Sequence, residues 1–185
     1  MNQVGRLIAN YQRFVTLPWA VSLAGSQRVW FAVYPPAEER RLRARLQEFE
    51  VATQEAGHHW RLTDISDAPA AWLGTHDYCE GYFQDPEALA NVEEELKTHV
   101  LTLLRDTCLA AEADASAVVA VLGIGSLFGI THVSGIVSEL EPAIRGRLLI
   151  FFPGEYERNL YRFMDARDGF NYMAVPITCS ERITL

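Results

Sequence analysis

Hydrophobic and polar positions follow two periods along this chain. Apolar runs closed by proline or glycine are typical of buried strands, and the pattern predicts five of them, at 28–36, 58–66, 115–123, 147–154 and 172–178. Apolar positions spaced three and four residues apart are typical of helices, and they predict helices over 5–15, 37–57, 67–73, 85–111 and 131–144. The second strand alternates only in part, whereas the others are apolar along most of their length.

Strands that are apolar on both faces and alternate with helices indicate a mostly parallel sheet with helices on both sides. The sequence therefore predicts a single α/β domain over residues 1–185, in a Rossmann-like three-layer arrangement of about five strands. Residues 1–27 are expected to pack on this domain as a helix and a loop. Because ligands and partners approach such sheets at the carboxyl ends of the strands, a site is expected in the loops that follow the strands.

The loop after the third predicted strand contains Gly123, Gly125 and Gly129, spaced G-x-G-x-x-x-G. The dinucleotide fingerprint is one residue shorter and follows the first strand, and a Walker-type phosphate loop needs a lysine that this loop lacks. Ser126 is not followed by the glycine pattern of a hydrolase elbow, and His132 is expected to be a polar residue near a helix start. The loop is therefore predicted to be a structural or partner-facing turn, and no cofactor is expected.

One possible zinc site involves His76 and Cys79, which have zinc-like spacing, with Asp77 and Glu80 nearby. Zinc needs three or four ligands at tight spacing. Surface histidines and a buried thiol are therefore favoured over a metal centre.

Carboxylates crowd the late part of the chain and could hold Mg²⁺; they are Glu155, Glu157, Asp165 and Asp168. Nucleases of the restriction type usually pair such carboxylates with a nearby lysine, and the only lysine of this chain is Lys97. A solvated charged loop is therefore favoured.

The chain has a net charge of −8, which disfavours broad nucleic-acid binding because phosphate contacts need clustered cations. The basic stretch ERRLRAR at 39–45 spreads its arginines around a helix and is expected to be a solvated outer face. No apolar run approaches the ~20 residues of a membrane span, and no signal peptide precedes the first helix. The three cysteines are scattered, so we expect a cytoplasmic protein.

Three blocks in the C-terminal part of the chain share a pattern with a known family: GIGSLFGITHVSGIVSELEP, LLIFFPGEYERNLYRFMD and FNYMAVPI. They resemble the BrxB family of bacterial BREX (bacteriophage exclusion) systems. The matching positions are Gly123, Gly125, Pro142, Phe152, Pro153, Gly154, Tyr156, Leu160, Phe163, Asn171 and Tyr172.

The resemblance implies a cytoplasmic component of an antiphage defence system, with no established catalysis and a role in assembly or regulation. Its implied partners are other BREX-type proteins, namely a phosphatase-like protein, an ATPase or a methyltransferase, with DNA contacted only indirectly and no membrane contacted. The alternative is a metal-dependent phosphoesterase or nuclease-like enzyme that uses the late carboxylates.

A protein-binding face is expected where the loops after the third and fourth strands share one edge of the sheet. Aromatic residues and arginines favour interface hot spots, and the candidates are Leu127, Phe128, His132, Tyr156, Arg158, Tyr161 and Arg162. Phe128 and Tyr161 are equally compatible with the core. The residues expected to shape these loops are Gly123, Gly125, Pro153 and Gly154. A positive φ is expected at Gly154, at a sharp exit from the fourth strand.

Overall fold

A β-sheet is the framework of the structure, a computed structural model that describes residues 2–20, 22–110, 112–166 and 169–180. The strands are β1 Val29–Tyr34, β2 His59–Asp64, β3 Ala117–Leu122, β4 Arg147–Glu157, β5 Leu160–Phe163 and β6 Val175–Ile177. In these described ranges they form one six-stranded sheet in the order β2-β3-β4-β1-β6, with β5 attached to β4. Only β5 runs antiparallel to its neighbour. The predicted α/β class with a mostly parallel sheet is confirmed.

The continuous apolar runs of the sequence are explained by burial on both faces of the sheet. All residues of β1 and β3 are buried. Because successive side chains point to opposite faces, Phe31 of β1 joins one hydrophobic cluster while Trp30 and Ala32 join the other.

Helices cover both faces. They are α1 Gln3–Val15, α2 Glu39–Arg43, α3 Leu46–Glu55, α4 Ala68–Leu73, α5 Cys79–Gln84, α6 Glu93–Leu109 and α7 Val133–Leu140. α1 and α3 pack on the face of Trp30, and α6 and α7 pack on the face of Phe31. The chain crosses the sheet in one direction from β1 to β2 and in the other from β2 to β4. Right-handed crossovers place the connecting helices of these two directions on opposite faces.

Several predicted helix boundaries are corrected. The predicted helix 37–57 is divided into a 3₁₀ turn, α2 and α3, and the break lies at Arg45, whose φ of −124° is not helical. The predicted helix 85–111 begins as the 3₁₀ segment Pro86–Asn91 and becomes α-helical only at Glu93, while its predicted end at residue 111 lies outside the described residues. α5 lies between the predicted helices 67–73 and 85–111, where the sequence pattern predicts no helix.

The fourth strand is longer than predicted. β4 continues through Pro153 and Gly154 to Glu157, where the chain reverses into β5. The first part of β4 pairs with β1 and β3, and its last part, from Gly154 onward, pairs with β5. The added strand β5 therefore forms a hairpin with the end of β4.

The chain after α1 is anchored at the amino edge of the sheet by Trp19. The indole of Trp19 stacks on the imidazole of His58 with the ring centroids 3.6 Å apart. The guanidinium carbon of Arg147 lies 4.6 Å from the centroid of Trp19. Arg147 is buried and donates hydrogen bonds to the carbonyls of Gly146 and Ala20, at 3.1 and 3.3 Å. This edge is therefore held by ring and cation–π contacts.

Candidate functional site

The loop after β3 leaves one aromatic side chain partly exposed. It begins at Gly123 with a φ of 86° and continues through the 3₁₀ turn Ile124–Leu127. Leu127 is completely buried, whereas Phe128 is 39% exposed. His132 is exposed and precedes α7 without capping it through its side chain.

The hairpin of β4 and β5 folds over the sheet face that α6 and α7 cover. Tyr161 of β5 is completely buried, with its ring centroid 4.7 Å from that of Phe31. Its hydroxyl donates a hydrogen bond to the carbonyl of Ala174 at 2.8 Å, and burial raises the pKa of Tyr161. Leu127 and Tyr161 are candidates for a partner contact in the sequence, but both side chains are completely buried in the core, which agrees with the alternative kept for Tyr161.

Two of the remaining predicted residues lie around a separate cavity. Tyr156 packs on Tyr161 with ring centroids 4.6 Å apart, and Arg158 lies exposed at the hairpin turn with a φ of 51°. Both line a cavity of about 280 Å³ against Phe14 of α1. Arg162 is paired across the hairpin with Glu155, at 3.3 Å. The structure therefore does not gather all of the predicted residues on one surface.

Phe128 and His132 line a larger cavity of about 540 Å³, which we call the loop groove. Its apolar lining is Phe128, Ile130, Val133, Phe163 and Phe170, and its polar lining includes Glu93, Thr131, His132 and Ser134. The centroids of Phe128 and Phe163 are 5.6 Å apart. The two loop segments that the sequence predicted to lie close together therefore meet here.

Two glycines are required by close approach of the backbone. A Cβ added at Gly123 would lie 2.3 Å from the hydroxyl oxygen of Ser66, and a Cβ at Gly154 would lie 2.1 Å from the carbonyl oxygen of Arg162. The predicted positive φ at Gly154 is wrong, since this residue lies within β4 and outside the left-handed region. The side chain is excluded there by the opposite strand of the hairpin. Gly125 has no such constraint, because an added Cβ would approach Pro153 no closer than 3.7 Å.

A polar network that the sequence did not predict joins the ends of β1 and β2. We call it the carboxyl-edge network, and it consists of Tyr34, Glu39, Arg43, Asp64 and Ser66. Arg43 donates hydrogen bonds to Glu39 at 2.7 Å, to Asp64 at 2.7 Å and to Ser66 at 2.6 Å. Tyr34 donates to Glu39, and the Ser66 hydroxyl donates to Asp64 at 2.6 Å. The network ties α2 to the carboxyl edge of the sheet.

The charges of this network are fixed near neutral pH. Burial would raise the pKa of Asp64, but hydrogen bonds from Ser66 and Arg43 outweigh it and lower that pKa. Burial raises the pKa of Tyr34, and Glu39 raises it further. Asp64 therefore stays ionised and Tyr34 stays protonated, as their hydrogen bonds require. The network borders a cavity of about 270 Å³ next to Gly123, Gly125 and Pro153.

One signal for this network was present in the sequence, namely the glutamate–arginine pair four residues apart, Glu39 and Arg43. The sequence favoured a solvated outer face for this stretch. Arg41 and Arg45 agree with that, because they pair locally with Glu38 and Glu48, both at 2.6 Å. Only the topology brings Asp64 within reach of Arg43.

The other candidate chemistries are not assembled in the structure. Ser126 donates a hydrogen bond to the carbonyl of Ile65 at 3.2 Å, and no hydrogen bond joins it to His132 among the described residues. In the part of the chain that the structure describes, no group of three or more His, Cys, Asp or Glu side chains could hold a metal ion. His76, Cys79 and the late carboxylates Glu155, Glu157 and Asp165 are therefore not part of such a group, and Asp168 lies outside the described residues.

Comparisons of the chain with family models, with curated proteins and with solved structures found no match. Among the described residues, no helix combines the length and the apolar character needed to cross a membrane.

Proposed function

We propose that the protein is a non-catalytic assembly or regulatory component of a bacterial antiphage defence complex of the BREX type, and that it acts in the cytoplasm through protein–protein contacts. The observation that carries this proposal is the loop groove, a concave surface at the carboxyl edge of the sheet with an aromatic lining. Such surfaces on parallel sheets are where partners approach.

The lining of the loop groove suits a protein contact. Phe128 is 39% exposed while one edge of its ring rests on Phe163. Phe163 is buried and packs in turn on Phe152 of the core, with centroids 5.3 Å apart. An exposed aromatic residue that the core holds in place loses little side-chain entropy on binding, which is typical of interface hot spots.

The resemblance to the BrxB family supports the same location. The blocks that carry the resemblance supply both walls of the loop groove, since Phe128 lies in the first block and Phe163 in the second. We propose that the partner is the phosphatase-like, ATPase or methyltransferase component of such a system, and that DNA is contacted only through these partners. An acidic chain of net charge −8 is suited to indirect contact.

Co-purification with the three partner classes tests the proposal. The chain is co-expressed with the phosphatase-like, ATPase and methyltransferase proteins of one system, and captured complexes are quantified. We expect the wild-type chain to bind at least one of them and Phe128→Ala to lose about 2 kcal/mol of binding energy, the usual hot-spot scale. Phe83→Ala is the matched control, because Phe83 is an exposed phenylalanine of α5 outside the loop groove.

Melting temperatures of both variants separate binding from folding. If none of the three proteins binds the wild-type chain, the proposed function is rejected. If Phe128→Ala and Phe83→Ala weaken binding equally, the contact does not lie at the loop groove.

A further inference from the structure

The apolar lining of the loop groove is connected to the core through its aromatic rings. It consists of Phe128, Ile130, Val133, Phe163 and Phe170. The rings of Phe163 and Phe170 lie 5.3 and 6.1 Å from that of Phe152, a core residue of β4. A side chain that enters the groove would contact aromatic rings that already pack on the core.

Among the described residues, the charged side chain that lines the loop groove is acidic. It is Glu93, and Glu94 and Glu95 follow in the first turn of α6. The exposed Asp165 precedes Ala166, which is part of the lining. Within the described residues, no lysine or arginine lines the groove. A cation on an approaching segment is therefore attracted to this rim.

The nearest cation on α6, Lys97, lies closest to Glu139 and offsets the acidic rim only in part. The ammonium of Lys97 lies 2.8 Å from a carboxylate oxygen of Glu139 and 3.9 Å from one of Glu94. The hydrogen bond to Glu139 is the largest cause of the raised pKa of Lys97, and the charge of Glu93 contributes least. In the described residues no ion pair joins Lys97 directly to Glu93, so a cation from a partner can still pair with this carboxylate.

We infer that the loop groove binds a segment of a protein partner that presents one large apolar side chain flanked by lysine or arginine. The inference rests on the proposed function, because it specifies the partner chemistry for the same groove. The apolar side chain packs against the aromatic lining of Phe128, Phe163 and Phe170, and the flanking cation pairs with Glu93. Nucleic acid does not fit this surface, because phosphates would be repelled by the acidic rim.

Calorimetric titration of the whole chain with three synthetic peptides of equal length tests this inference. The first peptide has a central tryptophan flanked by arginine and lysine, the second replaces the tryptophan with alanine, and the third keeps the tryptophan but is flanked by glutamate. We expect the first peptide to bind at least tenfold more tightly than either of the others. Equal affinity of the two tryptophan peptides, or of the two basic peptides, would overturn the inference.

Variants of the groove then locate the binding. Phe128→Ala and Glu93→Gln should each lower the affinity for the first peptide at least tenfold. Glu55→Gln changes an exposed position of α3 on the other face of the sheet and should leave that affinity unchanged. Thr131→Lys adds a cation to the lining without removing an apolar contact. It should therefore lower the affinity for the first peptide and raise the affinity for the third. This test remains valid even if Phe128→Ala fails to fold. An equal loss with Glu55→Gln would show non-specific charge attraction and reject the site.

The two proposals can fail separately. If the basic tryptophan peptide binds at the loop groove but none of the three defence proteins does, the proposed function fails and the inference stands. If a defence protein binds but Phe128→Ala and Thr131→Lys leave its affinity unchanged, the inference fails and the proposed function stands.

Discussion

At the scale of single residues, Gly154 shows how a missing side chain permits two strands to approach. Gly154 pairs with Phe163 across the hairpin, and the carbonyl oxygen of Arg162 occupies the position where a Cβ would project. Backbone atoms cannot move aside as a flexible side chain can, so any larger residue must open the hairpin.

Gly154→Ala should therefore destabilise the protein by about 1–3 kcal/mol, the range of overpacking substitutions. Urea denaturation measures this difference. Gly81→Ala is the matched control, because Gly81 lies in α5 with nothing within 4 Å of an added Cβ; helix propensity predicts a gain of up to about 1 kcal/mol there. A Gly154→Ala variant as stable as the wild type would contradict the close approach.

His58, which stacks on Trp19, makes stability depend on pH because its pKa is lowered in the folded protein. Burial lowers the pKa of His58, the charges of Arg147 and His59 lower it further, and a hydrogen bond at Ser116 acts in the opposite direction. Because the folded-state pKa lies below the unfolded-state value, protonation favours the unfolded chain. The stabilising contribution is therefore complete above the unfolded pKa of about 6.5 and is lost as the pH falls through the lower, folded-state pKa.

The melting temperature of the wild type should therefore fall more between about pH 7 and pH 5 than that of His58→Phe, which keeps a ring on Trp19. His99→Gln serves as the control for the loss of a histidine, because His99 is exposed on α6. Identical slopes for the wild type and His58→Phe would show that His58 carries no such linkage.

At the scale of elements, the sequence predicts the strands that are buried on both faces. It does not predict β5, which forms only by pairing with the end of β4. β1, β3 and the first part of β4 have continuous apolar runs, so their position follows from burial alone. The end of β4 follows a Pro–Gly pair that normally ends a strand. Its pairing with β5 depends on the hairpin geometry, which the local pattern of apolar and polar residues does not predict.

The candidate site was predictable to the same extent. The sequence predicts that the loops after the third and fourth strands lie close together because strand ends share one edge, and the contact of Phe128 with Phe163 agrees with that. It could not separate Phe128, which stays partly exposed, from Leu127 and Tyr161, which are buried. All three are large apolar residues in loops or short strands, and only the packing of the hairpin on the core decides which remains accessible.

At the scale of the whole molecule, the central strands couple the two hydrophobic clusters. Neighbouring residues of β1 and of β4 contribute to opposite faces of the sheet; in β4 they are Ile150 and Phe151. A strand that leaves the sheet therefore removes side chains from both clusters at once. Folding of α1 and α3 on one face is thus linked to folding of α6 and α7 on the other, as the predicted single domain over residues 1–185 requires.

Differential scanning calorimetry should accordingly show one transition with equal calorimetric and van't Hoff enthalpies. Leu7→Ala removes a buried contact of α1 on one face, and Leu104→Ala removes one of α6 on the other. Each should lower the free energy of unfolding by about 2–5 kcal/mol and shift the whole transition, whereas Leu109→Ala, at an exposed position of α6, should shift it little. Leu7→Ala could instead split the unfolding into two transitions, one at a lower temperature and one at the wild-type melting temperature. The two faces would then be separate cooperative units, and the single-domain prediction would be wrong.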